Sequence, residues 1–160
     1  MSDEELRARL DGLAYIRAVR DGTLEADALM QTLGIRVTEA EPGRVVMEST
    51  PDAAHLNLGG MVHGGYLSTV MDSVTGYALH TTLRPGETPP HLAASYRFLT
   101  YGRPDVTLIT TGTVLKSGRT VGHVRAEVHD ADGRLIATGE TTHAVAGTGA
   151  DGRLRPGPST

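Results

Sequence analysis

Near the middle of the 160-residue chain a glycine-rich turn opens a helix that carries a single carboxylate, Asp72, and those two features are suited to chemistry at a carbonyl group. The stretch Asn57-Leu-Gly-Gly-Met-Val-His63-Gly64-Gly65 reads as a glycine-rich turn that opens a helix. The first backbone N–H groups of such a helix, and its positive end, face whatever occupies the turn. Donors arranged in this way stabilise an oxyanion. Asp72 follows on the same helix and is the only formal charge between His63 and Leu83. A carboxylate there either serves as a general base or nucleophile, or is simply solvated or capping, as most Asp side chains are.

The elements that must position these groups are marked by periodicity. From Gly65 to Leu83, residues Leu67, Val70, Met71, Val74 and Ala78 fall on one helical stripe, which predicts a buried face. The opposite face collects Gly65, Ser68, Thr69, Asp72, Ser73 and Gly76, small side chains that admit another backbone or a thin ligand. Ser2 to Val19 reads as a helix capped by Ser2, and Leu24 to Thr32 as a second helix stopped by Gly34. Strands are predicted over Ile35–Ala40, Arg44–Thr50, Leu92–Thr100, Val106–Lys116, Thr120–Asp130 and Leu135–Val145. Turn signals at Glu41-Pro42-Gly43, Ser117-Gly118 and Asp132-Gly133 make successive hairpins and so an antiparallel sheet. Along Thr120–Asp130, Val124, Ala126 and Val128 alternate with His123, Arg125, Glu127 and His129, giving one dry face that needs a cover. An α+β sheet curled around one helix is the simplest way to bury both stripes. The polar, Gly- and Pro-rich segment from Gly147 onward is expected to stay unfolded.

Composition narrows the function. The chain lacks cysteine, which removes disulfides and thiol chemistry, and its net charge of −4 with no basic run argues against nucleic acid as a partner. No apolar run reaches the ~20 residues that span a membrane, and the first residues lack the features of a secretory signal, so a cytoplasmic location is expected. The seven histidines include no HExxH and no i, i+4 pair on a predicted helix, so no metal site is expected. His63-Gly64-Gly65 is similar to the oxyanion loop of α/β-hydrolases, yet no Gly-x-Ser-x-Gly elbow supplies a nucleophile. His63 is expected to shape the turn through hydrogen bonds. Lys116 and Arg119 at a hairpin tip, or Arg84, Arg97 and Arg103, are candidates to meet phosphates.

With those residues in view, the stretch from Asn57 to Leu79 resembles the signature of hotdog-fold acyl-CoA thioesterases, in the PaaI-like (phenylacetic acid degradation) branch of the 4-hydroxybenzoyl-CoA thioesterase superfamily. That signature has an Asn six residues before the His of a His-Gly-Gly turn and an acid nine after it, which Asn57, His63, Gly64, Gly65 and Asp72 match. The likeness extends from about Leu33 to Val145. It implies a hotdog fold: a curved antiparallel sheet of about six strands wrapped around one long central helix. The organisation expected is a helical extension over 1–32, a hotdog domain over 33–146 and a tail over 147–160.

The resemblance implies hydrolysis of an acyl-CoA thioester, aryl- or medium-chain, with coenzyme A as part of the substrate and no other cofactor. Asp72 is then base or nucleophile, the Gly64 N–H the oxyanion donor, and Asn57 positions the water or the thioester, with His63 shaping the turn. Gly65, Tyr66, Ser68 and Ser95 would line the substrate. Tyr66 and Tyr77 would flank an aromatic acid or simply pack. Gly64 and Asp72 lie about 12 Å apart along one helix at 1.5 Å per residue, too far to share a carbonyl. They must therefore act across a two-fold homodimer, which the family resemblance extends to a homotetramer. Some relatives carry a Ser or Thr after the helix that helps hold the water; His91 or Ser95 falls there, and Ser68 or Ser73 could substitute. A relative's Thr one turn after the acid is Gly76 here. The alternative reading is a non-catalytic acyl-CoA-binding module, since binding needs the same groove.

Overall fold

The computed structural model describes residues 3–148 and 154–156. Its centre is helix α4, Gly64–His80. The expected apolar stripe faces inward: Leu67 is 2% exposed and Val70, Met71, Val74 and Ala78 are fully buried. The helix stops three residues before Leu83 because the Thr81 and Thr82 hydroxyls donate to the carbonyls of Ala78 (2.6 Å) and Leu79 (2.8 Å), closing its last turn.

Around α4 curls a six-stranded antiparallel sheet formed by β1 (Arg36–Glu41), β2 (Arg44–Ser49), β4 (His91–Phe98), β5 (Leu108–Ser117), β6 (Val121–Asp130) and β7 (Leu135–Ala144). The spatial order is β1-β2-β5-β6-β7-β4, so the strand that directly follows the helix runs to the far edge. This is the hotdog arrangement, with the helix as filling. Val124, Ala126 and Val128 of β6 are fully buried beneath it, as their alternation predicts. A Cβ on Gly112 in β5 would sit 2.6 Å from the Val74 carbonyl oxygen, so only glycine lets the sheet press this closely onto the helix backbone.

Two expectations are corrected. The single helix expected over Ser2–Val19 is two helices, α1 (Asp3–Arg9) and α2 (Gly12–Arg20); the capping role expected of Ser2 lies outside the described residues. Asp11 restarts the chain as an N-cap, its carboxylate accepting from the Ala14 N–H at 2.8 Å. The break lets the Gly12 N–H donate to the Leu83 carbonyl at 3.0 Å, docking α2 on the far end of α4. Helix α3, Ala28–Leu33, starts later than the expected Leu24 because Asp27 caps it, and ends, as expected, at Gly34 in the left-handed region (φ 64°). The second correction is the segment from 147, which is not wholly unstructured. Ala146–Thr148 (β8) pairs on one side with Glu87–Thr88 (β3) and on the other with Leu154–Pro156 (β9), a small antiparallel sheet beside the loop that leaves the helix. Residues 149–153 and 157–160 lie outside the described residues.

One half-buried and one fully buried histidine make this fold acid-sensitive. His80, stacked on Tyr15 at 4.9 Å, and His143 in β7 are both pushed down to about 4, in each case chiefly by burial. The folded state thus keeps them neutral where the unfolded chain, near 6.5, takes up protons. Their contribution is fully present above pH 6.5 and is lost as pH falls toward 4, each pKa unit of separation being worth about 1.4 kcal/mol. The urea midpoint is therefore expected to fall between pH 7 and pH 4.5, and to fall less in His80→Gln; an identical drop in that variant would exclude His80 as a cause.

Candidate active site

At the start of α4 the His63 ring is a cap. Its Nδ1 accepts from the Gly65 N–H at 2.8 Å, so the imidazole shapes the turn, as expected, and Gly65 has no N–H left for a ligand. The Gly64 N–H meets no acceptor among the described residues. Beside it, Asn57 Oδ1 accepts from the N–H groups of Gly59 (2.9 Å) and Met61 (3.2 Å). Those two donors fix which way the amide lies and leave Nδ2 as a donor. Asn57 and Gly64 share a cavity of about 300 Å³ with Leu67, Phe98 and Tyr101. The Phe98 ring comes within 3.5 Å of where a Gly64 Cβ would stand. One wall therefore offers two unengaged donors, and Met61, Val62, Leu67 and Phe98 make much of the rest apolar, with Thr100 and Tyr101 beside them.

Asp72 occupies the small-residue face two turns further on, its side chain 53% exposed. Its Oδ1 lies 3.2 Å from His91 Nε2, which is also 3.3 Å from the Thr75 hydroxyl. His91 packs against His143, ring centroids 3.8 Å apart and the planes tilted by 51°. Burial holds His91 below the ordinary histidine value, with the Asp72 charge pulling the other way. Burial, aided by the same charge, pushes the Tyr96 hydroxyl up to about 12.

The remaining candidates separate. Ser68 lies between the two halves but donates to the Gly64 carbonyl at 2.9 Å. Tyr66 is not a substrate contact: it is 5% exposed, packs on His55 and donates to the Leu33 carbonyl at 3.3 Å. Tyr77 likewise reaches Asp27 at 3.1 Å, bracing α3. Ser95 pairs with Glu140 and shares a hollow with His123 and Thr142, on the sheet face turned away from α4. It therefore does not join Asp72. His91 does, because a register shift between His91 and Ala93 turns it to the face of buried His143. Phe98 and Tyr101, about half exposed, are the aromatic groups that line the cavity, and neither periodicity nor motif marked them in advance. Among the basic candidates, Arg84 is held by Glu87 at 2.6 Å and Arg103 by Asp132 at 3.1 Å. No three His, Cys, Asp or Glu side chains among the described residues are grouped to hold a metal ion. No helix among them is long and apolar enough to cross a membrane.

Comparison with known proteins identifies the family. Residues 59–137 match the family model described as the thioesterase superfamily. A protein of Saccharolobus solfataricus named as an esterase is 30% identical over 123 residues, covering 76% of this chain and 86% of its own. Human acyl-coenzyme A thioesterase 13 is 29% identical over 129 residues, 79% of this chain and 91% of its own. Among solved structures, the E. coli PaaI protein from the phenylacetic acid degradation operon superposes with a TM-score of 0.75 at 26% identity, covering 84% of this chain and 97% of that one. The sheet that wraps α4, the glycine-rich turn at its head and these likenesses converge: the chain belongs to the thioesterase superfamily and is a thioester hydrolase of the hotdog fold.

Proposed function

We propose that the enzyme hydrolyses acyl-CoA thioesters in sites shared between two subunits, Asp72 supplied by one and Gly64 with Asn57 by the other. The observation that carries this reading is where the two halves sit along β4. Asp72 is tied to the His91 end of that strand, 3.2 Å away, and Gly64 abuts the Phe98 end. β4 is an edge strand, and Leu92 and Phe98 on it, with Leu99 just beyond, are 61%, 51% and 55% exposed. A second copy pairing antiparallel along this edge about a two-fold axis exchanges the ends. It sets the Asp72 end of each subunit beside the Gly64 end of its partner and covers the exposed apolar side chains. Exposed Ile109 and Leu115 on β5 offer dimers a further surface for a homotetramer.

In such a site the thioester oxygen accepts from the Gly64 N–H and the Asn57 amide orients the water or the thioester. Asp72 acts in one of two ways. As base it takes a proton while the water oxygen bonds to the carbonyl carbon; as nucleophile it forms the bond itself, and water then opens the mixed anhydride. Negative charge gathers on the carbonyl oxygen against the Gly64 donor. Collapse breaks the C–S bond, and the departing thiolate takes up a proton, leaving free acid and coenzyme A. The apolar walls at Leu67, Phe98 and Tyr101 suit an aryl or medium-chain acyl group.

Mixed dimers test this. Subunits with Asp72→Asn and subunits with Gly64→Pro are each expected to be nearly inactive in coenzyme A release. After unfolding and refolding together in equal amounts, half of the dimers are mixed and each mixed dimer holds one intact site, so about one quarter of wild-type activity returns. No recovery would place the site within one subunit. Tight acyl-CoA binding without turnover by the wild-type protein on any thioester of an aryl and straight-chain panel would instead favour a binding module.

A further inference from the structure

Asp72 is not alone on its helix face. Among the described residues, the two groups within reach of His91 Nε2 are the Asp72 carboxylate and the Thr75 hydroxyl. The Thr75 proton is engaged by the helix carbonyls of Met71 (2.9 Å) and Asp72 (3.0 Å), and a carboxylate has no proton to give. Neither neighbour can donate, so Nε2 carries the hydrogen and directs it to Asp72 Oδ1, with Thr75 Oγ1 as second acceptor.

The ring itself is held from behind. The Pro89 carbonyl, 3.0 Å from His143 Nδ1, accepts only, so Nδ1 is the protonated nitrogen; Nε2 is then the acceptor for the Thr141 hydroxyl at 2.8 Å. With both nitrogens engaged and no exposed surface, His143 is a fixed, uncharged plate against which His91 packs. The register shift in β4 gives His91 this place. Along an unbroken strand it would share the outer face with Ala93, Ser95 and Arg97.

We propose that His91 is the positioning residue of the hydrolytic carboxylate: its Nε2–H holds Asp72 Oδ1, turning Oδ2 toward the reacting water or acyl carbon. The proposal rests on the assignment of Asp72 under the function proposed above. An imidazole in this role makes the hold pH-dependent. The groups facing it are Asp72 and Thr75 from α4 and His143 from β7; Tyr96 of its own strand feels the Asp72 charge, and Asp72 is the one carboxylate among them. Protonation of His91 replaces the hydrogen bond by an ion pair that stabilises the carboxylate's charge in the ground state, so turnover falls on the acid side through a histidine titrating below its ordinary value.

The test compares His91→Leu, which keeps bulk without a donor, and His91→Gln, whose amide can still donate, with wild type and Asp72→Asn. The assay is coenzyme A release across pH 5 to 8. His91→Leu is expected to lower kcat about tenfold with KM changed less than about twofold, and His91→Gln to regain most of that loss. The acid-side ionisation of wild-type kcat should be absent from His91→Gln. A wild-type kcat in His91→Leu, or an unchanged acid limb in His91→Gln, overturns the assignment of His91 while Asp72→Asn stays inactive. Wild-type turnover by Asp72→Asn overturns the assignment of Asp72 itself, and the role of His91 with it. Should His91→Leu fold poorly, the pH profile of His91→Gln decides alone.

Discussion

Replacing Asp72 by Asn is expected to lower kcat for acyl-CoA hydrolysis by about 10³-fold, within the span of a positioned general base. The substitution keeps the side chain's shape and an oxygen that can still accept from His91 Nε2, so the fold and the neighbouring histidines have no reason to move. Half of the side chain is exposed, which makes a change in unfolding midpoint beyond that of an ordinary surface substitution unexpected. What is lost is the ability to take a proton or to attack, and both matter only as the transition state forms. KM should therefore stay close to that of wild type while kcat and kcat/KM fall together. Steady-state release of coenzyme A, followed with a thiol reagent beside a thermal melt, reads all three quantities. A variant with at least a tenth of wild-type kcat would remove Asp72 from the reaction.

The second large effect is expected at the other half of the site. Gly64→Pro deletes one N–H and little else. Gly64 is the first residue of α4, the position at which proline is best tolerated in a helix. The preceding His63 has φ −63° and ψ 137°, the extended region that a following proline requires. A Cβ at 64 would meet Phe98 at 3.5 Å, ordinary van der Waals contact. The helix should persist, and kcat should fall by about 10²–10³-fold, ~3 kcal/mol of barrier, as for the loss of one oxyanion donor. A Gly64→Ala control keeps the N–H and meets Phe98 at the same distance, so it should remain active. If both variants fail alike, crowding of the cavity, not the donor, is responsible.

Much of this arrangement was legible in the amino-acid order, because it depends on local rules. The apolar stripe of α4, the turns at Gly43, Gly118 and Gly133, and the wet and dry faces of β6 each follow from side chains a few residues apart. The head of the helix was legible for the same reason: a His before two glycines is a cap and a turn. Tyr66 and Tyr77 were not. Their helix positions allow either packing or a ligand, and only the docking of α3 decides for packing. His91 and Ser95 were inseparable because strand alternation puts them on one face, and the register shift that parts them is set by pairing with β7, some fifty residues away. The helix break at Asp11 arises similarly, from the distant Leu83 carbonyl that Gly12 meets. The strand at Leu154–Pro156 depends on β8, itself paired with β3, offering it an edge.

The open edge at β4 carries one more consequence, for how the rate depends on the amount of enzyme. In the shared-site arrangement an isolated chain holds two unlike half-sites and no whole one, so turnover belongs to the pair. By mass action, dilution far below the dissociation constant of the pair makes the rate scale with the square of the chain concentration, whereas above it the dependence is linear. Substrate that bridges both halves binds the pair alone and draws the equilibrium toward it. Abundance of the protein and supply of thioester would thus act together as an on-switch that requires no second regulatory site.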